Sequence, residues 1–320
     1  MGRKSIKYFI YTIVSPSFFQ GIALICLFSS TCIGQNRGNF FTNSPNVNNS
    51  RLIPLLVGEG TFYATSMAGL NILWYKNYPH SSFHFFDDNK EWKQMDKLGH
   101  MLTAYTISRL TSALYEWSGI RPLPASVYGT SLGLAFQTNI EVFDGFSSEW
   151  GFSPGDMIAN TTGASLFLSQ QSGWGEQRVT FKISFHPTSY RDYRPEELGD
   201  NTLQGYLKDY NGQTYWAAIA IASFLPKGYK IPGWACLDFG YGAEGMIGAI
   251  TNPPTYDASG NEQFFDRYRK YYVSLDVDLT KIPTKSAPLK AVFGAVSFIK
   301  VPMPTIRFSR KKFKFYWLYF

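Results

Sequence analysis

The sequence predicts an α+β protein: a bundle of about four apolar helices followed by an antiparallel, β-rich C-terminal half. Three observations predict it. Apolar segments of helical length, rich in Gly, Ala, Ser and Thr, run from residue 52 to 171 and are punctuated at Pro122, Pro124 and Pro154. After Gly173 the pattern changes to period two. Phe181, Ile183 and Phe185 alternate with Lys182, Ser184 and His186; Tyr271, Val273, Leu275, Val277 and Leu279 alternate with Tyr272, Ser274, Asp276, Asp278 and Thr280. Such alternation marks strands with one apolar face. Finally, 320 residues with 45% hydrophobic and 18% aromatic content can bury a large core in one or two domains.

In chain order, residues 1–34 read as a secretory signal. Arg3, Lys4 and Lys7 come first, then an apolar run strongest from Phe18 to Phe28, then small residues. Cleavage after Gly34 would leave Gln35 first. Lipidation on Cys32 is the alternative, though Ser29-Ser30-Thr31 lacks the usual aliphatic residue three before the cysteine. Residues 35–50, Asn- and Gly-rich, form a flexible lead-in.

A helical domain is expected over 51–175 and a β-rich domain over 176–320. Helices are expected at 52–75, 96–118, 123–144 and 154–171, the last opening on Pro154, which suits a first turn. At about 1.5 Å per residue the first approaches a bilayer core in length. Small residues permit close packing, either in a membrane or beneath a sheet. Strands are expected at 181–185, 214–225, 234–247, 271–279 and 305–319, with a helix at 287–299 and a long loop at 251–266. That count falls short of the roughly eight strands of the smallest closed barrels, so the sheet reads at most as a membrane-associated partial barrel. Its apolar face needs a cover, either lipid or the helices.

The net charge is +7, much of it in the leader and in Arg307, Arg310, Lys311, Lys312 and Lys314. No basic helix has base-reading spacing, which argues against nucleic acid. A surface facing membrane lipid or lipopolysaccharide fits better. Of three cysteines, Cys26 and Cys32 fall in the leader. Cys236 reads as a small buried hydrophobe.

Nearly every group able to do chemistry lies between residues 91 and 163. Asp96 and His100 are one helical turn apart on one face, with Lys97 beside them. Glu141 and Asp144 share a face at the end of the third helix, and Asp156 and Asn160 share one on the next. The turn at Pro122-Leu123-Pro124 returns the chain antiparallel, so Asp96, Lys97, His100, Glu141, Asp144, Asp156 and Asn160 are expected to converge. Charges amid apolar helices are costly unless paired or useful. The loop from Phe146 to Gly155 adds Glu149, Trp150 and Phe152 on a Gly/Ser/Pro frame, which suits a lid, a lipid anchor or a glycan platform. His186, Asp238 and Glu244 stand isolated in the tail and read as structural or surface groups.

The motifs Asp96-Lys97-x-x-His100, then Glu141-x-x-Asp144-Gly145-Phe146, then Asp156-x-x-x-Asn160-x-x-Gly163 resemble the YfiM-like family of bacterial periplasmic lipoproteins over roughly residues 50–175. More distantly they resemble the VanZ-like membrane proteins. The tail is similar to a longer Bacteroidetes-type form through Lys208-Asp209-Tyr210-Asn211-Gly212-Gln213-Thr214-Tyr215-Trp216 and Gly240-Tyr241-Gly242-Ala243-Glu244-Gly245-Met246. The resemblance implies an exported protein of the periplasm or outer membrane of a Gram-negative bacterium. It implies no established reaction.

Two function classes follow. The first is a membrane-associated envelope protein whose polar centre is structural or binds a lipid or glycan head group through Lys97, Glu149, Trp150, Asp156 and Asn160. The second is an envelope hydrolase or transferase with His100 as general base, oriented by Asp96 or Asp144 and assisted by Glu141. Ser147, Ser148 and Ser153 supply hydroxyls but no nucleophile-elbow pattern. One histidine among carboxylates would suit a harder cation than zinc. Neither metal site nor cofactor is assigned.

Overall fold

The change of period at residue 173 becomes a change of architecture. The computed structural model describes residues 40–72, 79–226, 228–257 and 259–320. The expected signal at 1–34 and the start of the lead-in lie outside the described residues.

The side chain of Asn48 caps α1 (Asn49–Leu70) by accepting from the Ser50 N–H at 3.0 Å. Then come α2 (Met95–Trp117), α3 (Pro122–Gly145) and α4 (Pro154–Trp174), the last two with proline in the first turn. The central helix is α2, which packs on both α3 and α4. Glycine makes this packing close. A Cβ on Gly129 would meet the Ser108 carbonyl oxygen at 2.4 Å, and one on Gly163 would meet that of Met101 at 2.1 Å. The small residues therefore let backbones touch. More peripheral is α1, joined through Leu55 to Tyr115 and Ala125. Among the described residues no helix is long and apolar enough to cross a membrane.

The second half contains β1 (Val179–Phe185), the short helices α5 (Pro195–Leu198) and α6 (Thr202–Lys208), β2 (Gln213–Ala220), β3 (Ala235–Glu244), β4 (Thr255–Tyr256), β5 (Glu262–Gln263), β6 (Tyr268–Val277), α7 (Ala287–Val296), β7 (Met303–Ser309) and β8 (Lys312–Tyr319). Six of these strands form one antiparallel sheet in the order β1-β2-β3-β6-β7-β8. The fold is thus α+β, as expected. Three local expectations change. The strand expected at 214–225 ends at Ala220, where Ile221–Phe224 wind into a 3-10 turn. The single strand at 305–319 is a hairpin, turned at Arg310 and Lys311 with φ of 49° and 60°; such left-handed pairs match the twist of the flanking strands. The loop at 251–266 holds the small β4–β5 ribbon.

The sheet curls. At its open edge β1 is flanked by residues 298–300, with the Ile183 N–H donating to the Phe298 carbonyl at 2.8 Å and the Lys300 N–H to the Ile183 carbonyl at 2.9 Å. From the other edge Tyr319 reaches across to Thr214, hydroxyl to hydroxyl at 3.1 Å. Among the described residues β1 and β8 do not pair, so the barrel stays partial.

Strand alternation puts the polar side chains inside this curl. One register row reads Ile183, Tyr215, Tyr241, Tyr271, Phe308 and Phe313 across all six strands and faces outward. The adjacent rows, with Lys182, Trp216, Tyr272, Asp238, Ser274 and Thr305, face inward and are buried. Helices cover only part of the outward face. Met95 and Leu102 of α2 pack on Tyr215, Phe181, Ile183 and Tyr241. Among the described residues nothing covers the apolar face over β6, β7 and β8, where Tyr271, Val273, Ile306 and Phe313 are exposed.

Asp238 is structural, one of the two expected readings, but it is not isolated. It belongs to a sealed charge set inside the curl. Lys182 Nζ lies 2.5 Å from Asp276 Oδ2, and Lys300 Nζ lies 3.7 Å from Asp238 Oδ2 and 3.9 Å from Asp276 Oδ1. All four side chains are buried. Glu244 also has a partner, Lys270 at 3.3 Å, and the His186 ring meets Tyr319. Sequence separation hid these partners, because strand pairing joins residues far apart in the chain. Cys236 is buried with Ala218 and Ala220.

Candidate functional site

The polar motifs of the helical half meet at one end of the α2–α3–α4 bundle. The chain enters α2 through a left-handed turn at Trp92, Lys93 and Gln94, with φ of 43°, 52° and 69°. The Tyr241 hydroxyl pins it by donating to the Lys93 carbonyl at 2.6 Å. Helical spacing then puts Asp96, Lys97 and His100 on the face toward α3 and α4. Ser153 caps α4 by accepting from the Asp156 N–H at 3.0 Å, which sets Asp156 in the first turn. Asn160 and Gly163 follow one and two turns on, facing α2.

Lys97 Nζ sits 2.6 Å from Asp88 Oδ1, 2.8 Å from Asp156 Oδ1 and 3.4 Å from Asp96 Oδ2. His100 Nδ1 faces Asn160 Oδ1 at 3.2 Å and Glu141 Oε1 at 3.5 Å. Its Nε2 faces Asp96 Oδ1 and Asp156 Oδ1, each at 3.8 Å. Gln137 donates to Asn160 Oδ1 at 3.0 Å, and the Ser153 N–H donates to Glu141 Oε2 at 3.2 Å. Of the seven residues expected to converge, Asp96, Lys97, His100, Glu141, Asp156 and Asn160 make direct contacts. Asp144, one turn beyond Glu141, acts on it through space.

The remaining candidates sit on the 146–153 loop. Glu149 is exposed and Trp150 half-buried; no hydrogen bond or ion pair joins Glu149 to the cluster among the described residues. The loop is fastened to residues 79–86. Phe152 N–H donates to the His84 carbonyl at 2.9 Å, Phe86 N–H donates to the Phe152 carbonyl at 3.0 Å, and Phe152 meets the Phe83 and Phe85 rings. Such fastening leaves little of the freedom a lid requires.

Three participants escaped the sequence reading, and Ser153, noted there as a nearby hydroxyl, braces the cluster. Asp88 bonds Lys97 and accepts from the Ser153 hydroxyl at 2.6 Å. Gln137 lacks any distinguishing local pattern. The Tyr210 hydroxyl donates to Asp96 Oδ1 at 2.7 Å, bringing the β-rich half to the helical site. Tyr210 does belong to the first tail motif. Its neighbour Asn211 ties that motif to the second, donating to the Met246 carbonyl at 2.7 Å and accepting from the Met246 N–H at 2.8 Å.

Burial and charge shape the protonation states. Burial pushes Glu141 up to about 7, with Asp144 adding to the rise and His100 opposing it. Burial, then the charge of Asp96, pushes Asp156 up to about 8. Although burial alone would raise Asp88, bonds from Asp156, Lys97 and Ser153 hold it low, so a proton shared by the two aspartates resides on Asp156. Burial also opposes the charges on Lys97 and His100, but the surrounding carboxylates outweigh it and raise both. Asp96, His100 and Asp156 each offer a ligand atom, all within 4.8 Å of one another, and are the residues that could hold a metal.

Residues 84–170 match the family model described as a predicted periplasmic lipoprotein (DUF2279). The matched span contains every cluster residue except Tyr210. The chain is accordingly an exported protein of the periplasm or outer membrane. No curated protein and no solved structure matches it.

Proposed function

We propose that this is a YfiM-like cell-envelope protein that sits on a membrane by the bare part of its sheet, and that its helical charge cluster is a structural centre. One observation carries the reading: the sheet is apolar outside and polar inside. Phe239, Tyr271, Val273, Ile306, Phe313 and Phe315 lie on the outward rows and are 43% to 76% exposed. Lys182, Asp238, Asp276 and Lys300 are sealed within. A contiguous apolar surface of this kind marks an interaction site, and apolar-out, polar-in strands are the pattern of lipid-facing sheets. Trp317, Lys312 and Lys314 at the same edge suit an anionic lipid interface.

The cluster's chemistry supports a structural role over hydrolysis. Both ring nitrogens of His100 face carboxylates or amides. The Ser153 hydroxyl is committed to Asp88 and to the α4 cap. The carboxylate surplus also disfavours an anionic head group at this spot.

The test is flotation with phosphatidylethanolamine–phosphatidylglycerol vesicles, in a Cys32→Ser background so that no acyl chain can anchor the protein. The parent should float, and Val273→Glu/Phe315→Glu should stay at the bottom with an unchanged far-UV spectrum. A parent that fails to float, or a double variant that floats equally well, overturns the reading.

A further inference from the structure

Three lone-pair atoms in the helical cluster point at one another without bonding. His100 Nε2 stands 3.8 Å from Asp96 Oδ1 and 3.8 Å from Asp156 Oδ1, too far for a hydrogen bond. With all three within 4.8 Å of one another, a central point about 2–2.5 Å from each exists, the range of divalent metal bonds to imidazole nitrogen and carboxylate oxygen.

The other side of the ring is arranged to match. Nδ1 has two acceptors, Asn160 Oδ1 at 3.2 Å and Glu141 Oε1 at 3.5 Å, and one donor, Gln137 Nε2 at 3.2 Å, which also donates to Asn160 Oδ1 at 3.0 Å. With the Gln137 amide donating to the nearer Asn160 Oδ1, the two acceptors favour the tautomer with hydrogen on Nδ1, which turns the Nε2 lone pair toward the two aspartates. A second acidic or amide group behind the ring is how proteins hold a metal-ligating histidine. Glu141 Oε1 is buried, has no hydrogen-bond partner, and is aimed at this ring. Asp156 Oδ1 is likewise buried without an aligned hydrogen bond, its close neighbour being the Lys97 ammonium.

Charge points the same way. Asp88, Asp96, Glu141 and Asp156 face a single lysine. Lys97 lies toward Asp88, so a cation would occupy the His100 side, with Asp156 Oδ1 between the two positive charges. The Asp96 and His100 side chains are 24% and 16% exposed, which gives an ion a way in.

We propose that Asp96, His100 and Asp156 bind one divalent cation that ties α2 to the start of α4. Two oxygens to one nitrogen suit Mn²⁺ or Mg²⁺ better than zinc. The proposal is independent of the membrane seat, since flotation and ion binding are read separately.

The experiment adds Mn²⁺ to the EDTA-treated full chain in detergent, following electron paramagnetic resonance and thermal melting. One Mn²⁺ should bind per chain, raise the melting temperature, and show nitrogen coupling from one imidazole. His100→Gln should abolish that coupling and weaken binding by about tenfold or more. Lys97→Met, which removes the competing charge, should tighten it. If His100→Gln does not fold, Asp96→Asn at the open rim replaces it, with the same expected loss of affinity. Absence of Mn²⁺ binding up to roughly 1 mM, or an imidazole signal and affinity unchanged in the ligand variant, overturns the proposal.

Discussion

A charge centre made by helices and one made by strands solve the cost of burial differently. In the strand centre two lysines, Lys182 and Lys300, meet two aspartates, Asp238 and Asp276, and all four are sealed from water. Backbone groups add to it: Lys182 donates to the Val277 carbonyl at 2.9 Å, Lys300 to the Leu275 carbonyl at 2.9 Å, and the Val301 N–H to Asp276 Oδ1 at 3.1 Å, while the Asp238 oxygens face Lys300 without an aligned hydrogen bond. In the helix centre carboxylates outnumber cations, and Asp88, Asp96, Lys97 and His100 are only half-buried. The difference teaches that lysines matched to carboxylates permit complete sealing, whereas a carboxylate surplus needs protons, water or a metal. Removing one charge should therefore be worse where water cannot follow.

The largest expected effect is on the sealed centre. Lys182→Met leaves Asp276 Oδ2 without its lysine and should cost about 3–5 kcal/mol, the range for breaking a buried pair. Chemical denaturation in mild detergent measures it. Lys182→Met/Asp276→Leu, which removes both partners, should recover much of the loss. A single variant no less stable than the parent would show that the pair adds nothing.

The next effect is on pH dependence. Burial, then the charge of Asp276, pushes Asp238 up to about 8. The folded state thus holds a proton that the unfolded chain releases near the ordinary carboxylate value. The contribution to stability is full below about pH 4 and is lost as pH rises toward 8, amounting to a few kcal/mol. Melting followed from pH 5 to 8 should show a decline that Asp238→Asn flattens. An unchanged slope in Asp238→Asn would remove this aspartate as its source.

The smallest effect is on the more open centre. In metal-free buffer Lys97→Met should cost about 2 kcal/mol, because its carboxylates can take up protons or meet water. Glu141→Gln should change stability by less than about 1 kcal/mol, since the glutamate is already half neutral near pH 7. If Lys97→Met proves as damaging as Lys182→Met, exposure does not distinguish the two centres.

Of the fold and site, the sequence by itself determined what is local. Helical spacing put Asp96 with His100, and Asp156 with Asn160, because residues four apart share a face. Proline at 122 and 154 marked where helices begin, and the switch at Gly173 marked where strands take over. Short antiparallel returns then required the motifs of α2, α3 and α4 to meet. What only the tertiary structure decided is whatever joins distant segments. Alternation is symmetric: it says that one face of a strand is apolar, and cannot say whether that face turns inward. The curl decided it, enclosing Lys182, Asp238, Asp276 and Lys300 from four separate segments and leaving Tyr271, Val273 and Ile306 outside. Likewise Tyr210 reaches Asp96 across 114 residues of chain, a contact created by the docking of the two halves, since side-chain periodicity reports neighbours along one element and carries no record of neighbours across two.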